Sequence, residues 1–286
     1  MSIKRTPDMQ ALLAFYIEAG VDALLDETPV NRFVADGPQP RNPPAPVDDP
    51  ELEPTETRPP LNRTGENAPR LRSRALPANL EAPPTPDAAI MAARDAARGA
   101  MSLDALRSIL ERFEGCGLHL TAKRLVFADG NPQANVMFVG EAPGREEDIE
   151  GLPFVGRSGQ LLDRMMAAIG LNRASAYIAN AIPWRPPGNR TPTPQESQIC
   201  LPFIKRQIEL ANPDILVCLG GPSAAALLGM TEGIRRSRGR WHTYHTGTRE
   251  IRAIATFHPA YLLRTPLEKR FAWRDFLAIR KALDDR

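Results

Sequence analysis

The chain has 286 residues, 42% hydrophobic and 24% charged, and its 36 Lys and Arg nearly balance its 34 Asp and Glu. This length is enough for one or two domains with a buried core. Three cysteines exclude a disulfide scaffold and favour a reducing cytoplasm. Since no run of about 18 apolar residues and no secretory signal occur, we expect a cytoplasmic protein without a membrane span.

Charge and proline are distributed unevenly along the chain. Residues 1–114 contain 13 basic and 18 acidic side chains, whereas residues 115–286 contain 23 and 16. The second part is therefore a candidate polyanion binder, although a solvated, Arg-rich surface gives the same count. Fourteen of the 29 prolines lie between Gly37 and Pro86. Because such a segment buries little apolar surface, we predict a disordered linker over residues 31–99.

The first 30 residues predict an amphipathic helix. Thr6 and Pro7 suit the N-cap and N1 positions, and apolar residues follow at helical spacing. Such a helix is not stable alone, so it either docks on its own chain or binds a separate protein partner, and the sequence leaves both open. A second helix, over residues 102–113, leads into the main domain, predicted over residues 100–286.

Beyond residue 116, short apolar runs alternate with helical stretches. Four runs have the continuity of buried parallel strands: residues 135–140, 177–182, 215–219 and 251–257. The stretches that separate and follow them predict helices over residues 158–169, 194–211, 222–228 and 268–283. This alternation predicts an α/β fold, a three-layer α/β/α sandwich around a four-stranded parallel sheet.

Residues with useful chemistry follow each predicted strand: Glu141, Asn180, the pair Gly220 and Gly221, and His258. Because ligands bind at the carboxyl ends of parallel strands, we expect these groups to converge at one site. Each of them alone has an ordinary structural explanation as a turn, loop or cap residue. The sequence contains no phosphate-binding loop, dinucleotide fingerprint or nucleophile elbow, and its four histidines lack the spacing of a zinc hydrolase.

Taken together, these segments resemble the family 4 uracil-DNA glycosylases. The resemblance is carried in order by GEAPGREED at 140–148, GLPFVG at 151–156, GQLL at 159–162, YIAN at 177–180, RPPGNR at 185–190, RGRW at 238–241 and HPAYLLR at 258–264. It covers about residues 115–286. It implies the four-stranded α/β fold and hydrolysis of the N-glycosidic bond of deoxyuridine in DNA, the step that begins base-excision repair.

The resemblance also implies roles for individual residues. Glu141 and His258 would be catalytic, Phe154 would stack on uracil and Asn180 would read its polar edge, beside Gly140 and Ala142. Bond cleavage develops positive charge on the sugar and negative charge on uracil O2. A neutral His258 could donate to that oxygen, and the Glu141 carboxylate could orient water.

The base must leave the duplex to reach such a pocket. After His258, the sequence offers the apolar wedge candidates Tyr261, Leu262 and Leu263, with Arg264 near a phosphate. Further phosphate candidates precede the last strand, and any one of them could equally be a solvated surface residue: Arg235, Arg236, Arg238 and Arg240.

The family usually holds an iron–sulfur cluster with four cysteines. At these positions the chain keeps Cys116 and Cys200 but has His119, a possible substitute ligand, and Trp184 at the other two. A cluster needs about four thiolate-type ligands, and an indole ring cannot ligate. We predict no cluster and no other metal, with apolar packing around Trp184 in its place. Cys218 lies within a predicted strand and is expected to be a small buried apolar residue.

Two other functions are compatible with the sequence. A retained pocket with little turnover would make the chain a uracil- or abasic-site-binding protein. Use of the N-terminal helix as a docking peptide would make it a replication or polymerase accessory factor. In the main hypothesis, the chain is a monomeric enzyme that acts on uracil-containing DNA.

Overall fold

The structure is a computed structural model, and it describes residues 86–285. The predicted helix over residues 1–30 and residues 31–85 of the predicted linker lie outside the described residues. Within the described part, no helix combines the length and apolar character needed to cross a membrane.

Helices cover both faces of a sheet in the described residues. In chain order the elements are α1 (Pro86–Gly99), α2 (Leu103–Glu111), β1 (Asp129–Gly130), β2 (Val136–Gly140), α3 (Arg145–Glu150), α4 (Arg157–Ala167), β3 (Tyr177–Asn180), α5 (Pro194–Ala211), β4 (Ile215–Leu219), α6 (Gly221–Leu228), α7 (Ile234–Ser237), β5 (Trp241–His245), β6 (Glu250–Thr256), α8 (Pro259–Arg264) and α9 (Lys269–Asp284). Short 3₁₀ turns lie at Gly117–Leu120, Pro187–Asn189 and Pro266–Glu268.

The strands of the described chain form a six-stranded mixed sheet in the order β1-β3-β2-β4-β6-β5. The four predicted strands are confirmed, and they form its parallel centre as β3, β2, β4 and β6. The prediction of a four-stranded sheet is incomplete, because β1 and β5 pair antiparallel at the two edges. β1 has two residues and β5 is largely polar, so neither shows the apolar run of a buried strand.

Alternate residues of the central strands pack against opposite layers of helices. On one face, Met137 and Val139 of β2 pack in a cluster with side chains of α5 and α6. On the other face, Val136 and Phe138 pack with side chains of α4 and α9. The α/β/α sandwich therefore buries both faces of the parallel strands. Cys218 of β4 is fully buried in the first cluster, as expected for a small apolar residue.

The longer predicted helices are confirmed as α2, α4, α5, α6 and α9. Helix α2 begins after Ser102, whose hydroxyl oxygen accepts a hydrogen bond from the backbone N–H of Ala105 at 3.1 Å. The short helices α3, α7 and α8 occupy stretches that the sequence interpretation leaves as loops. They matter because α3 and α8 begin a few residues after the carboxyl ends of β2 and β6.

Helix α1 corrects the predicted end of the linker. The sequence interpretation assigns residues 86–99 to a disordered segment, but they form a helix. Ala89, Ala93 and Ala97 are buried at four-residue spacing and join one apolar cluster with Leu106 of α2 and Phe203 of α5. Alanine has the highest helix propensity, but it contributes little apolar area per residue. In the sequence, the segment therefore shows few large apolar residues, although its alanines are buried against α2 and α5.

Candidate active site

A cleft of about 830 Å³ opens at the carboxyl ends of the parallel strands. Glu141, Asn180, Gly220 and His258 all line it, each just after or at the end of one of the four central strands. In the sheet register, Gly140 at the end of β2 lies opposite Asn180 at the end of β3. The structure therefore brings together the four groups that the sequence pattern predicts at this edge.

His258 follows β6 and is the N-cap residue of α8. Its Nδ1 accepts a hydrogen bond from the backbone N–H of Ala260 at 3.1 Å. In the neutral ring, the proton is therefore on Nε2, which leaves one donor for a ligand. Burial, assisted by the positive charge of Arg264, lowers the pKa of His258 to about 4. The imidazole is thus neutral near pH 7.

Asn180 ends β3 and exposes only 4% of its surface. Its side-chain oxygen Oδ1 is buried without a hydrogen-bond partner. A buried acceptor of this kind is costly unless a ligand donor satisfies it. Gly140 makes room beside it, because a Cβ at this position would lie 2.4 Å from Oδ1 of Asn180 and 2.6 Å from the ring of Phe154.

Phe154 provides an aromatic wall of the cleft. Its ring is stacked with that of His258, with centroids 5.5 Å apart and an interplanar angle of 29°. Only 4% of the residue is exposed, so its ring forms part of both the core and the cleft. A flat heterocycle that enters the cleft therefore meets a ring face, an imidazole donor and an amide edge.

Glu141 and Ala142 directly follow β2 and line the cleft, and both are half-buried. Burial raises the pKa of the Glu141 carboxyl above its ordinary value. A raised pKa makes a carboxylate a stronger base for a water proton.

The sequence interpretation misses the role of Glu147 in α3. Its carboxylate oxygens accept hydrogen bonds from the backbone N–H groups of Gly144 and Gly156, both at 3.0 Å. Glu147 is 5% exposed and thereby fastens the segment after β2 to the segment that precedes α4. The signal available in the sequence was an acidic run that lies between Gly144 and Gly156, whose N–H groups need acceptors.

Several arginines of the cleft were also missed. Arg145 at the start of α3, Arg157 at the start of α4 and Arg190 line it together with the predicted Arg264. The Arg190 guanidinium also pairs with Glu196, with Nη2 2.6 Å from Oε1. All four arginines are exposed and line the cleft, so they are accessible to a polyanion that enters it.

The residues of α8 divide between the cleft and the core. Tyr261, Leu263 and Arg264 line the cleft. Leu262 does not, because it is fully buried and packs with Phe257 and Ala272. The sequence interpretation treats this segment as a loop. In the helix that forms, Leu262 is in the core, and Tyr261 and Leu263 remain available as apolar wedges.

Arg238 and Arg240, both predicted to contact DNA, do not line the cleft. Arg238 is partly buried and forms an ion pair with the buried Asp275 of α9, with Nε 2.8 Å from Oδ2. Its guanidinium lies 5.7 Å from the ring centroid of Phe257. This tertiary pairing was invisible in the sequence. Arg240 is exposed, and its Nη1 lies 3.6 Å from a carboxylate oxygen of Glu232.

The predicted cluster positions meet in one apolar region. Cys116 and Cys200 are fully buried, with their sulfurs 3.9 Å apart. Trp184 is buried in the same cluster, and the ring of His119 lies 6.4 Å from it. Nδ1 of His119 is hydrogen-bonded to the backbone oxygen of Cys116 at 2.9 Å. A four-ligand cluster needs about four thiolate-type donors. This region offers two thiols, an imidazole that is hydrogen-bonded to the backbone, and an indole that cannot ligate. Over residues 86–285, no group of three or more His, Cys, Asp or Glu could hold a metal ion.

Comparison with known proteins gives the same class as the fold and the cleft. The model of the uracil DNA glycosylase superfamily matches residues 127–277. The chain therefore belongs to the uracil DNA glycosylase superfamily.

Within that superfamily, the chain is similar to proteins named type-4 uracil-DNA glycosylase. The protein from Archaeoglobus fulgidus is 38% identical over 182 residues, 62% of this chain and 92% of the relative. The one from Thermotoga maritima is 42% identical over 156 residues, 54% and 80% of the two chains. The one from Saccharolobus solfataricus is 37% identical over 190 residues, 65% and 88%. The resemblance drawn from the sequence motifs is confirmed.

Proposed function

We propose that this protein is a DNA glycosylase that hydrolyses the N-glycosidic bond of deoxyuridine in DNA. Its products are free uracil and an abasic site, and the reaction begins base-excision repair. The observation that carries this proposal is the buried, unpartnered Oδ1 of Asn180, which lies beside Gly140 and the ring of Phe154. Together they form a slot for a flat base with a donor on its edge.

Asn180 explains selectivity for uracil over cytosine. Its Oδ1 can accept from uracil N3–H while its amide NH₂ donates to O4. Cytosine has an unprotonated N3 and an amino group at position 4, so both contacts would be mismatched. A buried polar group left unpaired gives strong discrimination against the wrong substrate.

His258 and Glu141 account for the bond cleavage. As the bond between C1′ and N1 breaks, its electron pair goes to uracil, and the sugar becomes cationic. The Nε2–H of neutral His258 donates to the negative charge that develops on uracil O2. The Glu141 carboxylate orients the attacking water and accepts its proton as oxygen bonds to C1′. One well-placed donor is worth about 2.7–4 kcal/mol in such a transition state.

DNA reaches the cleft as an extruded nucleotide. Arg145, Arg157, Arg190 and Arg264 are exposed and line the cleft, so they are accessible to phosphates. Leu263 and Tyr261 lie at the rim, where an apolar side chain can occupy the space left in the stack. Because each neutralised phosphate releases counterions, we expect DNA affinity to fall steeply with salt.

We also propose that the chain works without an iron–sulfur cluster. The donor set around Cys116 and Cys200 supports this, since Trp184 occupies a ligand position and is packed among apolar side chains. Iron analysis of anaerobically purified protein tests it: we expect substoichiometric iron, and about four iron atoms per chain would contradict it.

The oligomeric state and compartment belong to the same proposal. We propose that the protein acts as a monomer, because the chemistry assigned to Glu141, Asn180 and His258 requires no residue from a second copy. The cysteines of the described region are free thiols, which fits a reducing cytoplasm.

The proposed function is tested by measuring base release from three oligonucleotides that differ at one position, which is deoxyuridine, deoxycytidine or thymidine. We expect release from the deoxyuridine substrate alone, and a loss of about 100-fold or more in Asn180→Ala. Gln198→Ala, which removes an exposed amide side chain of α5 outside the cleft, is the matched control and should retain full activity. Equal release by wild type and Asn180→Ala would refute the proposed pocket. Release that stops at one uracil per chain would indicate a binding protein instead.

A further inference from the structure

The backbone of Phe154 is strained. In the described chain, the non-glycine residues with positive φ are Phe154 at 56°, Asn189 at 56° and Asn212 at 48°. Asparagine tolerates the left-handed region, whereas a bulky aromatic residue does not. Such strain persists only where surrounding structure enforces it, and it concentrates at functional sites.

Arg173, in the segment between α4 and β3, contacts this strained turn. Its guanidinium donates to the carbonyl oxygen of Pro153 at 3.1 Å and to that of Phe154. Two carboxylates fix the guanidinium in turn: Asp129 of β1, and Asp163 of α4 with 2.9 Å between Nε and Oδ1. Arg173 does not line the cleft itself.

A glycine also lies against the carbonyl oxygen of Phe154. A Cβ at position 159 would lie 1.6 Å from the carbonyl oxygen of Phe154. Gly159 therefore permits the backbone of Phe154 to pass directly over the first turn of α4. The carbonyl of Phe154 is thus held between a helix backbone and the guanidinium of Arg173.

We infer that Arg173 is a positioning residue, which holds Phe154 in its left-handed conformation so that the ring stays in the base slot beside His258 and Asn180. This inference rests on the proposed function. Without the guanidinium, the two carbonyls lose their donors and Phe154 can relax to negative φ, which moves its ring. Misplacement of a contacting group by about 1 Å can reduce a rate by about 100-fold.

A double-mutant cycle separates this role from general stabilisation. The variants are Arg173→Ala, Phe154→Leu and the double variant, each measured for single-turnover uracil release. We expect Arg173→Ala to lower the rate by about 10- to 100-fold in the wild-type background. In the Phe154→Leu background it should change the rate by less than about 2-fold, because the ring on which it acts is gone. Equal losses in both backgrounds would overturn the inference.

Arg249 offers a matched control. Its guanidinium donates to the carbonyl oxygens of Asn212 and Pro213, both at 2.9 Å, and pairs with Asp214. It therefore holds another positive-φ residue, but just before β4, at the end of the sheet opposite the cleft. Arg249→Ala should lower the melting temperature while leaving the single-turnover rate unchanged. An equal rate loss in Arg249→Ala would also overturn the inference.

Two further measurements keep the test decisive. If Arg173→Ala does not fold, Arg173→Lys replaces it, since Lys keeps the charge between the two aspartates but not the two-carbonyl fork. The preference for binding a uracil-containing over a thymine-containing oligonucleotide is measured in parallel. If wild type binds uracil selectively without releasing it, the proposed function fails. The same cycle on binding preference then decides the role of Arg173.

Discussion

Individual residues at the cleft show how burial sets protonation. Burial raises the pKa of Glu141 and lowers that of His258, because it disfavours the charged form of each group. Near pH 7 the imidazole is consequently a neutral donor. The carboxylate, once ionised, is a stronger base than an exposed one. This combination suits a reaction in which a leaving group gains negative charge while water is deprotonated.

The pH dependence of the rate should report Glu141. Activity needs the ionised carboxylate, so kcat/KM should rise with pH through the raised pKa of Glu141, above its ordinary 4.5. His258, whose pKa is lowered to about 4, is mostly neutral above about pH 5. Glu141→Gln should lower the rate and abolish this acid limb. A limb of the same midpoint in both proteins would show that another group is responsible.

The pH dependence of stability should report His258. Its pKa is about 4 in the folded chain against 6.5 for an ordinary histidine, so the unfolded chain binds the proton first as pH falls. The free energy of unfolding should therefore decline between pH 6.5 and about 4, by about 1–3 kcal/mol.

Urea unfolding at several pH values checks this. His258→Ala should remove that part of the slope, whereas His245→Ala, at an exposed histidine, should not. An unchanged slope in His258→Ala would contradict the assigned pKa shift.

Among the elements, those rich in apolar residues could be predicted from the sequence, and those poor in them could not. The four central strands have continuous branched apolar runs, and the longer helices have a clear period. The edge strands β1 and β5 lack such runs because they pair on one side only. Helix α8 was missed because it is short, and with it the inward direction of Leu262. Arg238 was misassigned because its partner, Asp275, is 37 positions away and meets it only through tertiary packing.

Helix α1 provides a prediction at this scale. Ala93 is fully buried where α1 packs in the cluster with α2 and α5. Ala93→Leu should overpack this contact and lower the free energy of unfolding by about 1–3 kcal/mol. Chemical denaturation measures it, with Ala92→Leu on the exposed side of α1 as the control. Equal stability of the two variants would mean that α1 does not pack as described.

At the scale of the whole molecule, the described residues 86–285 contain the α/β/α sandwich and the residues assigned to base recognition and bond cleavage: Glu141, Phe154, Asn180 and His258. A chain that lacks residues 1–85 should therefore release uracil at about the wild-type rate, within about 2-fold. A deletion that extends into α1 should instead lose stability, because the alanines of α1 cover the cluster around Cys116. Loss of activity on removal of residues 1–85 alone would show that this segment contributes to the site.

The most direct test of the account is uracil release from a labelled oligonucleotide in excess EDTA, by wild type and by His258→Ala. The account predicts many turnovers by wild type and a loss of about 100- to 1000-fold in the variant, because one donor to uracil O2 is removed. Absence of release by the wild type, or equal release by both proteins, would contradict it.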